Sequence, residues 1–232
     1  IRGGEIQRSD PSNVLRKFFI AHIPPRSIED LDTLAPVLRG VRASMGFVPN
    51  SLQTMAHVPQ LPIGFSLLAT AVCGGDLGPL LRRLADRVPP PLPPDARIAP
   101  TLIQLIALAT SLASGCRYCQ AHTSHGAHKV GVDERQLPEI LRFETSDAFN
   151  AAERAALVLA FAAGRVPNES NAGHFPQLRN HYSDAQIVAV IALFGFLNRW
   201  NDTMGTTLEE LPARLAAEEL TQAGWEIGKH AR

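Results

Sequence analysis

The sequence predicts an all-α fold, and three observations carry that expectation. Apolar residues recur at three- and four-residue spacing in segment after segment, as in Leu31, Leu34, Val37, Leu38 and Val41, which is the period of a helix with one buried face. No stretch alternates apolar and polar residues at strand period for more than a few positions. β-Branched residues are sparse outside the apolar helical runs. At 232 residues, 45% hydrophobic and 19% charged, the chain is long enough for one large domain or two small ones with a well-buried core.

Residues 1–29 are polar, then punctuated by Pro24-Pro25, and read as an arm lying on the domain or on a neighbouring subunit. The first helix begins near Asp30 and ends near Gly46; others are expected at about 50–57, 60–72 and 77–87, separated by Pro59, Pro62 and Gly74-Gly75. The run Pro89-Pro90-Pro91-Leu92-Pro93-Pro94 reads as a stiff polyproline spacer. After it, Ala99 to Ala113 is apolar on nearly every face, with Gln104 its one large polar residue, the pattern of a helix buried all round. Gly115 breaks that helix, which places Cys116 in the first turn of a new one running to about Val130. Gly131 ends it, and Asp133 is expected to cap the next. Helices at about 146–163 and 184–204 each start with Ser-Asp, and Ser183 with Gln186 has the spacing of a capping box. A charged, amphipathic tail follows. The expected organisation is an arm (1–29), a helical domain (30–210) and a tail (211–232).

The balance of 22 Lys plus Arg against 22 Asp plus Glu creates no global field toward nucleic acid or anionic membrane. A small molecule or another copy of the chain is the expected partner. The longest uninterrupted apolar run, Ile187 to Leu197, falls short of the roughly 20 residues that span a bilayer. The N-terminus, which opens at Ile1, lacks a signal-peptide pattern, so the expected compartment is the cytoplasm. Three cysteines do not form a disulfide framework; Cys116 and Cys119 stand as Cys-x-x-Cys, which in a reducing compartment points to redox or metal chemistry. Cys73 is expected to be a small buried hydrophobe.

The chain also repeats itself. Gln104-Leu-Ile-Ala-Leu aligns with Gln186-Ile-Val-Ala-Val, and twelve residues on, Cys116-Arg117-Tyr118-Cys119 aligns with Asn198-Arg199-Trp200-Asn201, both at an offset of 82. A duplicated helical unit, with units at about 95–131 and 183–204, accounts for this, one copy keeping the thiols.

Cysteines at i and i+3 share a helix face, about 5–6 Å apart at Cβ, within reach of a disulfide in a frayed first turn. There the helix dipole and unpaired N–H groups favour thiolate over thiol; Arg117 and His122 add to this. His122, three residues past Cys119, is placed to relay a proton to or from that sulfur, making Cys119 the better-activated thiol and Cys116 its resolving partner. Cys116, Cys119, His122, His125 and His128 recur every third residue, so zinc on Cys116, Cys119 and His122 is an alternative. One straight helix presents at most three of these groups to one ion, since Cys116 and His125 lie about 13 Å apart along its axis and face opposite ways. His125 and, more strongly, His128 read as exposed or hydrogen-bonded histidines, and Tyr118 as core.

The segment from Gln104 to Gly131, with Ser-Gly-Cys-x-Tyr-Cys followed by Ala-His, resembles the signature of the carboxymuconolactone decarboxylase and alkylhydroperoxidase D (AhpD) superfamily. Met45-Gly-Phe-Val-Pro-Asn50 and Phe194-Gly-Phe-Leu-Asn-Arg-Trp200 are similar to segments of its longer, peroxidase-related members. The resemblance implies an AhpD-like helical bundle and a homo-oligomer (dimer, trimer or hexamer). It also implies a thiol peroxidase or disulfide oxidoreductase without a prosthetic group, in which Cys119 attacks the peroxide, Cys116 condenses to a disulfide, and an external thiol or disulfide reductant reopens it. Two positions depart from the pattern. Gln104 stands where the family has a proton-relay glutamate, and an amide orients a water or histidine but cannot accept the proton. The usual histidine position is Thr123, which leaves His122, with His125, to rebuild the relay. The other class open to this scaffold is a non-redox decarboxylase-like enzyme or small-molecule binder.

Overall fold

The computed structural model describes residues 22–27, 31–85, 87–192 and 210–221. Among these there are helices and turns and no strand, as the periodicity predicts. The segment Phe194–Trp200 and the Asn198–Asn201 part of the second repeat copy lie outside the described residues, as do 1–21.

Four helices form the N-terminal part: α1 (Ala35–Met45), α2 (Asn50–Met55), α3 (Leu61–Val72) and α4 (Gly78–Leu84). A short 3-10 turn, Asp32–Leu34, leads into α1, and Pro36 in its first turn uses a position that has no intrahelical N–H to lose. Gly46, with φ of 81°, ends α1 in the left-handed conformation. The periodic residues Leu31, Leu34, Val37 and Leu38 close on Val48, Ala56, Ile63 and Leu84 as one apolar cluster. Cys73 departs from expectation. It is exposed, because α3 has already ended at Val72 and the chain turns outward through Gly74, whose φ is 71°.

The larger core is organised around α5 (Pro100–Ser114). Its Leu105, Leu108 and Ala109 are wholly buried, and it packs along both α6 (Arg117–Val130) and α7 (Ala151–Gly164). The helical stretch Pro94–Ser114 is apolar and long enough to cross a membrane by length and composition, but half of it is buried inside the protein, which makes it the core helix. The approach of α5 to α7 depends on Gly164: a Cβ there would lie 2.9 Å from Ala113 Cβ and from Thr110 O.

Two helix starts are corrected. The Ser146-Asp147 pair forms a turn, and α7 starts at Ala151 behind Asn150. Asn150 accepts from Glu153 N while Glu153 accepts from Asn150 N, so the reciprocal box sits four residues later than the Ser-Asp signal; Ser146 has Phe149, not a carboxylate, at the reciprocal position. Asp133 caps no helix. It accepts from Arg135 N and pairs with the Arg135 guanidinium, and the chain turns through 134–139 to a 3-10 turn at Ile140–Arg142. Pro138, lacking an N–H, removes the donor that a helix from Asp133 needs.

The remaining described helices are α8 (Phe175–Arg179), α9 (Asp184–Ala192) and α10 (Glu210–Glu219). The box at Ser183 and Gln186 is present in both directions. Upstream, Ile23 is buried in the main core and His22 stacks on Phe175, with ring centroids 4.3 Å apart, so residues 22–27 run over the domain.

Candidate functional site

Between α5 and α6 the chain makes one tight corner. Gly115, with φ of 75°, ends α5, and Cys116 follows as the N-cap of α6 in an extended conformation, φ −73° and ψ 95°. Cys116 therefore sits one residue outside the helix rather than in its first turn. Its N–H is anchored on Ser111 O at 3.1 Å. Its Sγ takes the place of the usual capping oxygen, accepting from Cys119 N at 3.3 Å. An extended cap residue opens the i, i+3 pair just enough: Cα to Cα is 5.3 Å, and the two sulfurs form a disulfide.

The pair is nearly closed to solvent, with Cys116 at 0% and Cys119 at 6% exposure. Tyr118 is half-buried rather than core; its ring stacks on His122, centroids 4.2 Å apart, fixing the imidazole one turn beyond Cys119. His125 is also half-buried, and its Nδ1 is buried with no hydrogen-bond partner among the described residues.

Gln104, the departure in the family pattern, lies across the helix interface. Its amide packs on Gly126: a Cβ at that residue would meet Gln104 Oε1 at 2.6 Å. Gly126 is four residues past His122 and on the same side of α6, so the structure brings Cys116, Cys119, His122 and Gln104 to one side of the α5–α6 pair. His125 lies farther around α6.

His128 is hydrogen-bonded, as expected, and its partner is new. Its Nε2 pairs with Glu219 Oε1 of α10, and Ser124 Oγ, wholly buried, donates to Glu219 Oε2 at 2.6 Å. No local signal marks this contact, which joins residues 95 positions apart. On the other flank a groove of about 580 Å³ opens. Gly115, Arg117, Gln120 and Arg165 line it. Gln120, at 1% exposure, accepts from Arg117 Nη1 and donates to Ser111 O.

The site can thus cycle between two thiols and a disulfide. Among the described residues no three His, Cys, Asp or Glu side chains cluster as metal ligands.

The sequence model of the carboxymuconolactone decarboxylase family matches residues 93–162, from the proline segment through α7. The uncharacterised protein YdfG of Bacillus subtilis is 30% identical over 107 residues, 44% of this chain and 69% of that protein. The crystal structure of the debrominase Bmp8 without ligand is 34% identical, with a TM-score of 0.50, covering 84% of this chain and 96% of that one. A cysteine-to-alanine variant of Bmp8 in complex with 2,3,4-tribromopyrrole is 32% identical, also at a TM-score of 0.50, covering 86% of this chain and 98% of that one. With its helical architecture, its Cys-x-x-Cys corner and these relatives, the chain belongs to the carboxymuconolactone decarboxylase family.

Proposed function

We propose that this chain is a dithiol oxidoreductase that reduces a small organic electrophile at Cys119 and stores the oxidising equivalents as the Cys116–Cys119 disulfide. The observation that carries the reading is the pair itself, bonded at the start of one helix with Cys119 the less buried residue of the two. In the reduced state Cys116 Sγ keeps the N–H of Cys119 and the positive end of α6, which together favour its thiolate. Cys116 is then poised to attack once Cys119 is loaded. His122, fixed by Tyr118, supplies the proton.

Among two-electron acceptors a brominated heteroaromatic ring ranks first, because the debrominase structures, one with tribromopyrrole, align over most of this chain. The Cys119 thiolate takes bromine, forming S–Br as C–Br breaks, and the electron pair left on the ring carbon accepts a proton from His122. The Cys116 thiolate then displaces bromide and forms the disulfide. The net change is an aryl bromide and two thiols to an arene, hydrogen bromide and a disulfide. A hydroperoxide, the class implied by the sequence resemblance, fits the same cycle. Cys119 attacks oxygen, the O–O bond breaks to release alcohol after proton transfer, and Cys116 displaces water from the sulfenic acid. Because Gln104 stands in the glutamate position and an amide does not donate a proton to a leaving group, His122 supplies the proton in this cycle as in the first.

The test presents reduced protein, without oxygen, with tribromopyrrole or an alkyl hydroperoxide in separate arms and counts bromide or peroxide against free thiols. Two thiols lost per product, and no product from Cys119→Ser, is the expected result. Product formed at an unchanged rate by Cys119→Ser sinks the reading and leaves a non-redox enzyme on the same scaffold.

A further inference from the structure

The seam between the four N-terminal helices and the main core holds a cavity of about 330 Å³ that the redox reading does not use. Four separate parts of the chain wall it. Pro59 comes from the link between α2 and α3, Leu92 from the proline segment, Ile103 and Ile106 from α5, and Val190 from α9. Ile106 and Val190 are buried members of the main core. The walls are also stiff, because Pro59, Pro91 and Pro100 all face the cavity and each fixes its own φ. Polar contacts tie these walls together. At the start of α3, Gln60 Nε2 donates to Pro89 O at 3.0 Å. Arg97 Nε donates to Leu92 O, and Arg97 O accepts from Gln186 Nε2 of α9 at 3.1 Å. The proline run is therefore a fastened wall as well as a spacer.

Among the described residues that line the cavity, Arg97 alone is charged. It is exposed and makes no ion pair with a described residue, and neither of its Nη groups has an acceptor among them. Neither cysteine nor histidine lines the space, so what it offers is binding alone. We propose that this cavity binds a small apolar monocarboxylate built on a ring, at a site separate from the redox pair. A cavity of about 150 Å³ holds one benzene ring, so 330 Å³ has room for a bicyclic body. Placed there, the rings remove the apolar surface of Ile103, Ile106 and Val190 from water. The carboxylate stays at the exposed rim, which spares it full desolvation, and the Nη pair of Arg97 presents the planar fork that suits it. One guanidinium matches one negative charge, and a cationic ligand is repelled. Because the walls are already fixed, little is lost in ordering them when the ligand enters.

The experiment titrates the full chain calorimetrically with 2-naphthoate, with its neutral isostere 2-naphthamide, and with acetate, which carries the charge without the rings. Naphthoate is expected to bind most tightly and acetate to give no measurable heat. Arg97→Met is expected to weaken naphthoate about tenfold, the size of one charge-assisted hydrogen bond, and to leave the affinity for naphthamide unchanged. Since Arg97 is exposed, this variant keeps the core intact, and the unchanged amide affinity reads that directly. Arg97→Lys, which keeps the charge and loses the fork, is expected to restore part of the tenfold. The double variant Cys116→Ser, Cys119→Ser is expected to bind naphthoate as the parent does. Four results overturn the proposal: no binding of naphthoate by the parent, acetate bound as tightly as naphthoate, an Arg97→Met variant that weakens acid and amide alike, or naphthoate binding lost with the two cysteines.

Discussion

Replacing Glu219 by alanine should weaken the docking of α10 on α6, and the cost can be worked from the contacts. Ser124 Oγ is wholly buried and donates to Glu219 Oε2 at 2.6 Å. Without the carboxylate that hydroxyl keeps no such acceptor, and an unsatisfied buried donor costs about 1–3 kcal/mol. The His128 pair adds less, because its side chain is 39% exposed, and exposed pairs contribute roughly 0.2–1 kcal/mol. A total of about 2 kcal/mol follows. For a chain of this length each kcal/mol moves Tm by about 2–4 °C, so the expected fall is about 4–8 °C in a calorimetric or circular-dichroism melt. The double-mutant cycle with Ser124→Ala isolates the buried bond: the second substitution should cost much less in the Glu219→Ala background, with a coupling of about 1–2 kcal/mol. A cycle that is additive within about 0.5 kcal/mol, or a melt that does not move, refutes the reasoning.

Other outcomes follow from single contacts. Gly126→Ala places a Cβ within 2.6 Å of Gln104 Oε1, so the half-buried Gln104 side chain must swing away, which offsets the ~1 kcal/mol of helix propensity that the alanine adds; adding Gln104→Ala should release that gain in chemical denaturation, and no gain would place the strain elsewhere. Asn150→Ala removes one half of the capping box on α7 and should cost about 1 kcal/mol, seen as a lower denaturation midpoint without a change in slope. Burial, with the Glu153 carboxylate adding to it, pushes the Tyr182 phenol up to about 12. The difference in phenolate absorbance between parent and Tyr182→Phe should therefore titrate near that value. Because the folded value lies above the ordinary 10, the neutral phenol supports the fold fully below pH 10. That support is lost as pH rises from 10 through 12; a difference titration centred on 10 would contradict the buried placement.

Local pattern was enough wherever a feature is made by neighbours in sequence. The period of Leu31 to Leu38, the glycine ends at Gly46, Gly115 and Gly131, and the Ser183–Gln186 box all stand in the structure. So does the pairing of Cys116 with Cys119. The failures share a cause, in that two local signals competed or the deciding partner lay far away. Ser146 lost to Asn150 because only Asn150 has a carboxylate at the reciprocal position. Cys73 is apolar by type, yet the end of α3 carries it out to solvent. Glu219 looked like part of a charged tail, and its role rests on Ser124 and His128, which no spacing rule connects to it. Gln104 was legible as an anomaly by type; that it packs on a glycine of the next helix was not.

Setting Cys116 at the cap of α6 has a consequence for the time course of turnover. A Cα separation of 5.3 Å lies inside the disulfide range of about 4.4–6.8 Å and close to the roughly 5 Å that ideal helix geometry sets between Cα atoms three residues apart. The backbone that suits the oxidised pair therefore also suits the reduced one. In the proposed dithiol cycle the main chain of this corner can therefore stand still, so the slow step should be a bond exchange at sulfur or a side-chain swing, and a backbone reporter on α6 should be silent when the pair is reduced and reoxidised.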